Sequence, residues 1–325
     1  MSTSRRVAAV DCGTNSIRLL VADVDPESAQ PLSEVERTMK IVRLGHGVDE
    51  HGRFDDDAVR RTLAVAGEYA DLCRSSEVES LRFVATSATR DAANAEEFTD
   101  AVAEIFADFG TRAEVILGSE EAALSFAGAT AELLSTSAAP PFLVVDIGGG
   151  STELVRGTHQ AQQATSVDIG CVRMTERHLS QDPPTEEQIW AALADITAAI
   201  DRASQTVDLT GVGTLVGLAG SVTTVTAAAL GLSTYDPSRI HGAQLPVQEV
   251  LEATTALMRA DRATRASAGY MHPGRVDVIG AGALIWRTVV QRLVRDSGIS
   301  SVRTSEHDIL DGLVWSQVQP EPGRG

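Results

Sequence analysis

At 325 residues the chain is long enough for two domains, each with a core of its own. Its 43% apolar and 22% charged residues are those of an ordinary globular protein, and no apolar run nears the roughly 20 residues of a membrane span. A net charge of −18 argues against nucleic acid or an acidic membrane as partner.

Residues 1–6 lead straight into a strand, with no signal-peptide core or cleavage site, so a cytoplasmic protein is expected. Cys12, Cys73 and Cys171 are scattered and form neither a disulfide framework nor a zinc pattern. All but Lys40 of the 27 basic residues are arginine. That suits bidentate phosphate contacts, and equally a GC-rich coding bias.

In chain order, strands are expected at 6–10 and 17–24 around a turn at 11–16, then near 39–44. Asp55 or Asp56 caps a helix to about Arg74. A strand at 81–85 precedes a helix opened by Asn94, with Glu97 completing a capping box. That helix carries Phe98, Val102, Ile105, Phe106 and Phe109 on one face, and Gly110 ends it. A strand at 113–117 runs into Gly118-Ser119-Glu120-Glu121 and a helix to about Leu134.

The stretch STSAAPP at 135–141 reads as a linker, after which the order starts again. Strands at 142–147 and 153–155 flank a glycine turn, and a third lies at 164–169. Thr185 and Gln188 form a capping box for a helix to about Ser204. A strand at 215–218, helices at 222–230, 247–259 and 281–294, a strand at 300–304 and a helix at 308–317 complete the chain. Two halves with one layout predict a duplicated α/β fold with a cleft between the halves. The expected domains are 1–125, joined by the C-terminal helix 306–319, and 126–305.

The most informative stretch is Asp146-Ile147-Gly148-Gly149-Gly150-Ser151-Thr152-Glu153, where a strand delivers an aspartate into three glycines. Glycines allow backbone N–H groups to crowd around an anion, and the aspartate is placed to hold a divalent cation on it. Asp11-Cys12-Gly13-Thr14-Asn15-Ser16 repeats the pattern in the matching place of the first half. Gly220-Ser221 aims a helix start at an anion. Gly280-Ala281-Gly282-Ala283 does the same or serves close helix packing. No Walker A or dinucleotide fingerprint is present.

DCGTNSIRLLVADV, TSATRDAANAEEF, GSEEA, DIGGGSTEL, LAGSVTT, YDPSRIHG and RVDVIGAGALI, in this order, resemble the exopolyphosphatase/guanosine pentaphosphate phosphatase (Ppx/GppA) family from residue 6 to about 315. The resemblance implies a duplicated actin-like ATPase (ribonuclease H-like) fold. It also implies hydrolysis of the terminal phosphoanhydride of inorganic polyphosphate, or of the 5′ end of pppGpp or another nucleotide, with Mg²⁺ or another divalent cation. The family's catalytic carboxylate falls on Glu121, whose neighbour Glu120 is the confounder. Its phosphate-binding loops fall on Gly13, Thr14, Asn15 and Ser16, on Gly148, Gly149, Gly150 and Ser151, and on Gly220 and Ser221. Asp11, Asp146 and Glu153 lie toward metal. Arg90 is read as a substrate contact or a surface ion pair. A homodimer is implied, and so is a short form without the helical C-terminal domain of longer members, with a preference for short polyphosphates. The reading from another class is an actin-like ATP-binding kinase or chaperone module.

Overall fold

The computed structural model describes residues 4–25 and 32–318. Strands β1 (Arg5–Cys12), β2 (Ser16–Val24), β3 (Leu32–Ile41), β4 (Ser80–Ala85) and β5 (Ala113–Val115) form one sheet in the order β3-β2-β1-β4-β5. β1 pairs antiparallel with β2 and parallel with β4. Strands β6 (Phe142–Ile147), β7 (Thr152–Gly157), β8 (Ala161–Val167), β9 (Thr214–Leu218), β10 (Gln244–Pro246) and β11 (Ser301–Thr304) form the second, in the order β10-β11-β9-β6-β7-β8. Without β10, the second order repeats the first, antiparallel on one side of the central strand and parallel on the other. This is the duplicated actin-like fold.

The described residues divide into two compact units, one running to Leu117 and resuming at Ile309, the other spanning Gly118–Asp308. The break falls before the expected residue 125 because the helix Gly118–Thr130 packs on β6, β7 and β8. In the other unit, the final helix Ile309–Ser316 packs on β1 and β2. Each of these helices follows one sheet in sequence and covers the other.

Alternation along β6 sets two faces. Leu143, Val145 and Ile147 join the large core built around Trp286 and Ile196. Phe142 and Val144 face the smaller core under Phe126, on the helix Gly118–Thr130. Asp146 falls on this second face, and on β7 so does Glu153, beside Val155. In the first unit Val10, Leu19, Tyr69 and Phe83 build the core, with Phe54 edge-on to Phe98 at 5.6 Å.

Helix starts follow side-chain chemistry. Asp55 accepts from Asp57 N and Ala58 N at 3.0 Å. Thr185 and Gln188 form the expected capping box. Asn94 does not cap its helix: its Oδ1 accepts from Phe54 N at 2.8 Å, a tertiary bond that outcompetes the local one. That helix ends at Ile105, and Phe109 falls in a separate 3₁₀ turn closed by Gly110 at φ 62°. β3 begins seven residues before the expected strand because it is a largely exposed edge whose polar sequence hides it. β10, three residues with a proline at a sheet edge, carries almost no sequence signal. Among the described residues no helix is long and apolar enough to cross a membrane.

Candidate active site

The second unit gathers a row of polar side chains across its sheet. Asp146 on β6 lies opposite Glu153 on β7, which lies opposite Ser166 on β8. Ser125 donates to Asp146 Oδ2 at 2.9 Å, and Ser166 donates to Glu153 Oε1 at 2.7 Å. Glu121 precedes Ser125 by four residues, one helical turn, and so shares its face toward Asp146. Glu120 is exposed and Glu121 half-buried. Gly118 lets this helix start close to β8, since a Cβ there would lie 2.5 Å from Ser166 Cβ.

Glu153 is 1% exposed. Burial, then the charges of Glu121 and Asp146, hold its carboxyl well above the usual carboxylate range, while the Ser166 and Ser151 hydroxyls pull the other way. Three carboxylates therefore act on one another in a buried place. Glu121, Asp146 and Glu153 do not bring three ligand atoms within 4.8 Å of one another. Their donors are all oxygens, the ligand type that Mg²⁺ takes together with water and substrate oxygens.

Beside this row lies the glycine loop. Gly148 N donates to Ser151 O at 3.0 Å, closing the turn. Cys171 N donates to Gly148 O at 2.9 Å, Val172 N to Gly149 O at 2.9 Å, and Arg173 Nε to Gly150 O at 2.7 Å. With every glycine carbonyl tied back, the loop presents donors: the N–H groups of Gly149, Gly150 and Ser151 meet no acceptor among the described residues. Successive free amides form an anion cradle.

Gly170 buttresses the cradle. Its φ of −132° is ordinary, but a Cβ there would stand 2.2 Å from Gly149 O and 2.5 Å from Gly150 N. Gly170→Ala is expected to cost about 1–3 kcal/mol by overpacking and to raise KM by displacing the loop. Thermal unfolding and steady-state kinetics check both.

The third loop joins β9 to the helix Ala219–Ala229. Ala219 has φ 64°, an unusual conformation for a residue with a Cβ and one that clusters at functional turns. Ser221 is buried and bonds the Cys171 thiol, linking this loop to the first. Gly282 clears space for Ser221, whose Oγ would lie 2.2 Å from a Cβ there, so the fourth glycine element serves packing.

The sequence profile of the Ppx/GppA phosphatase family matches residues 20–317. The chain belongs to the Ppx/GppA phosphatase family. Exopolyphosphatase 2 of Mycobacterium tuberculosis is 46% identical over 314 residues, covering 96% of this chain and 98% of that protein. The crystal structure of an exopolyphosphatase-like protein at 44% identity matches with a TM-score of 0.91, over 96% of this chain and 98% of that one. Guanosine-5′-triphosphate,3′-diphosphate pyrophosphatase of Vibrio cholerae is 33% identical over 216 residues, covering 66% of this chain and 42% of that protein.

In this Ppx/GppA chain the first unit repeats the loop without the acidic pair. Gly13 N donates to Ser16 O at 2.9 Å, Gly45 N to Thr14 O at 2.8 Å and Arg43 N to Asn15 O at 2.9 Å. The amides of Thr14 and Asn15 again meet no acceptor among the described residues. Asp11, however, lies opposite Arg18 where Asp146 lies opposite Glu153. Arg18 donates to Asp11 Oδ2 through Nε at 2.9 Å and Nη2 at 2.5 Å. Arg90 follows β4 on the short helix Ser87–Asp91 and donates to Ile116 O at 2.9 Å.

The sequence reading missed Arg275. Its guanidinium lies over Gly220, where a Cβ would meet it at 2.3 Å. Among the described residues no carboxylate pairs with the guanidinium, and its one hydrogen bond is to Thr224 Oγ1 at 3.4 Å. It stands in RVDVIGAGALI, a motif in which sequence reasoning weighed only the glycines. Arg173, three residues after Gly170, was missed likewise, because its backbone-tying role exists only once the loop is folded.

Proposed function

We propose that the chain is an exopolyphosphatase that releases terminal orthophosphate from inorganic polyphosphate by attack of water. The observation that carries this reading is the juxtaposition of the Asp146–Glu153–Glu121 carboxylates with the free amides of Gly149, Gly150 and Ser151. The amides hold the transferred phosphoryl group as its charge spreads over the oxygens. Glu121, at the first turn of its helix, orients the water and takes its proton as the water oxygen bonds to the terminal phosphorus. The bond from that phosphorus to the bridging oxygen breaks, and the shortened chain leaves. Asp146 and Glu153 would hold Mg²⁺, which when bound neutralises the phosphate oxygens. Asp11 stays outside this metal set because Arg18 already neutralises it. In the first unit, the free amides of Thr14 and Asn15 offer an anion cradle of the same kind, with Gly13 and Ser16 shaping the turn.

Arg275 supplies the fixed positive charge that a polyanion needs on a protein of net charge −18. Arg275→Ala is expected to raise KM by about 10–100-fold, the worth of one charge-assisted hydrogen bond, with a smaller change in kcat. Initial rates across substrate concentration separate the two.

The likeness to the Vibrio cholerae enzyme favours pppGpp as second substrate, since both substrates present the same phosphoanhydride to the same groups. Incubation with Mg²⁺ and defined short or long polyphosphate, pppGpp or ATP, with phosphate release as readout, tests the proposal. Release from polyphosphate is the expected result, and the ratio of short to long chains measures the preference. Turnover of ATP alone, with an acceptor alcohol consumed, overturns the reading in favour of a kinase. We further propose a cytoplasmic location, and a homodimer, which the family resemblance implies; sedimentation tests the dimer.

A further inference from the structure

The second unit also holds a cluster that the phosphatase reading does not use. Glu132, His241 and His307 place one ligand atom each within 4.8 Å of one another, and among the described residues no other group of three histidines, cysteines or acids does so. Glu132 follows the helix Gly118–Thr130. His241 closes the short helix Pro237–Ile240, and His307 lies between β11 and the final helix. His241 Nε2 is 2.9 Å from Glu132 Oε2, and His307 Nδ1 is 3.4 Å from Glu132 Oε1. The two ring centroids are 4.4 Å apart, with the ring planes tilted by 38°.

The cluster is supported by its surroundings. Glu306 N donates to His241 Nδ1 at 3.2 Å. The Glu306 carboxylate is held by the Tyr235 hydroxyl at 2.6 Å. Ser305 Oγ accepts from His307 N at 3.0 Å, which fixes the turn that presents the second ring. Both imidazole side chains are about two-thirds buried, and the Glu132 side chain is 60% exposed, so one side stays open to water.

We propose that Glu132, His241 and His307 form a binding site for Zn²⁺ or a similar borderline divalent metal, with water as the remaining ligand. Two imidazoles and one carboxylate are a zinc donor set, and imidazole nitrogen discriminates against Mg²⁺. The bond from Glu306 N places the His241 proton on Nε2, where it is donated to Glu132. Metal binding displaces that proton, to solvent or to Nδ1 at the expense of the Glu306 bond. Affinity is therefore below that of a closed structural site and rises with pH. The bound ion would tie the end of the helix bearing Glu121 to the turn before Ile309, whatever reaction Glu121 serves.

The test uses the full chain without a histidine tag, stripped of metal and then kept in excess Mg²⁺ so that the carboxylate row is occupied. Calorimetric titration with Zn²⁺ and visible absorption on addition of Co²⁺ are the readouts. The expected result is one equivalent bound, with the intense bands of a low-coordinate cobalt site. His307→Ala and Glu132→Gln should each weaken binding at least 10-fold, with Asp146→Asn retaining it. Absence of one-equivalent binding overturns the site, and so does binding that survives in His307→Ala but disappears in Asp146→Asn. Should a variant fold poorly, imidazole NMR resonances of the wild-type chain decide: Zn²⁺ must shift those of two histidines together, and unshifted resonances overturn the proposal.

Discussion

Glu121→Gln should lower kcat on short polyphosphate by about two to four orders of magnitude, the range lost with a general base, while KM changes less than threefold. The substitution keeps the size and hydrogen-bonding reach of the side chain but removes the proton acceptor, so binding through the Gly148–Ser151 amides persists. Glu120→Gln is the control. Its side chain is exposed one position earlier, about 100° around the helix from Glu121, and should leave kcat within twofold. Full turnover by Glu121→Gln would remove the carboxylate from the mechanism. A second readout follows from electrostatics. Glu121 contributes to holding the Glu153 carboxyl high, so its neutralisation should make Glu153 easier to ionise and tighten Mg²⁺ binding at neutral pH.

Glu153→Gln should abolish most activity and reverse the usual effect of a core substitution on stability. Folding raises the pKa of Glu153. The folded wild type therefore binds this proton more readily than the unfolded chain, and it loses stability as pH rises from the unfolded carboxylate value of about 4.3 toward the folded one. Glutamine resembles the protonated acid and does not titrate. Without divalent metal, the variant should match the wild type in acid and exceed it in stability as pH rises. Added Mg²⁺ should invert the order, stabilising the wild type through the ionised carboxylates and the variant much less. Chemical denaturation across pH, with Mg²⁺ or with chelator, measures all four arms. A wild-type curve flat with pH and indifferent to Mg²⁺ would show that Glu153 is no metal ligand.

The glycine loops, the capping box at Thr185 and the duplicated layout were legible because each is a local pattern with a local cause. The position of Asp146 could be read from the strand before it, and its face follows from alternation with Phe142 and Val144. What sequence could not convey was the partner of each charge. Arg18 and Glu153 occupy equivalent places on β2 and β7, yet one neutralises its aspartate and the other adds to its charge. That contrast needs the strand register. Asn94 was misread because an asparagine before a helix caps it unless a distant backbone group, here Phe54 N, takes its oxygen first. Arg275 escaped because an arginine beside a glycine 55 positions earlier is adjacent only in space.

The helix Ile309–Ser316 has a consequence for how the protein is made. Ile309, Leu310, Leu313 and Val314 are buried, and their helix packs on β1 and β2, where Val7, Ala9, Leu20 and Ala22 are also buried. During synthesis those strands leave the ribosome well before the helix that covers them. The first unit to be translated is thus the last that can finish folding, and its sheet waits with one apolar face open while the whole of the other unit is produced. The segment Gly118–Asp308, by contrast, is continuous and holds its own covering helix, so it can fold on the ribosome as soon as β11 emerges.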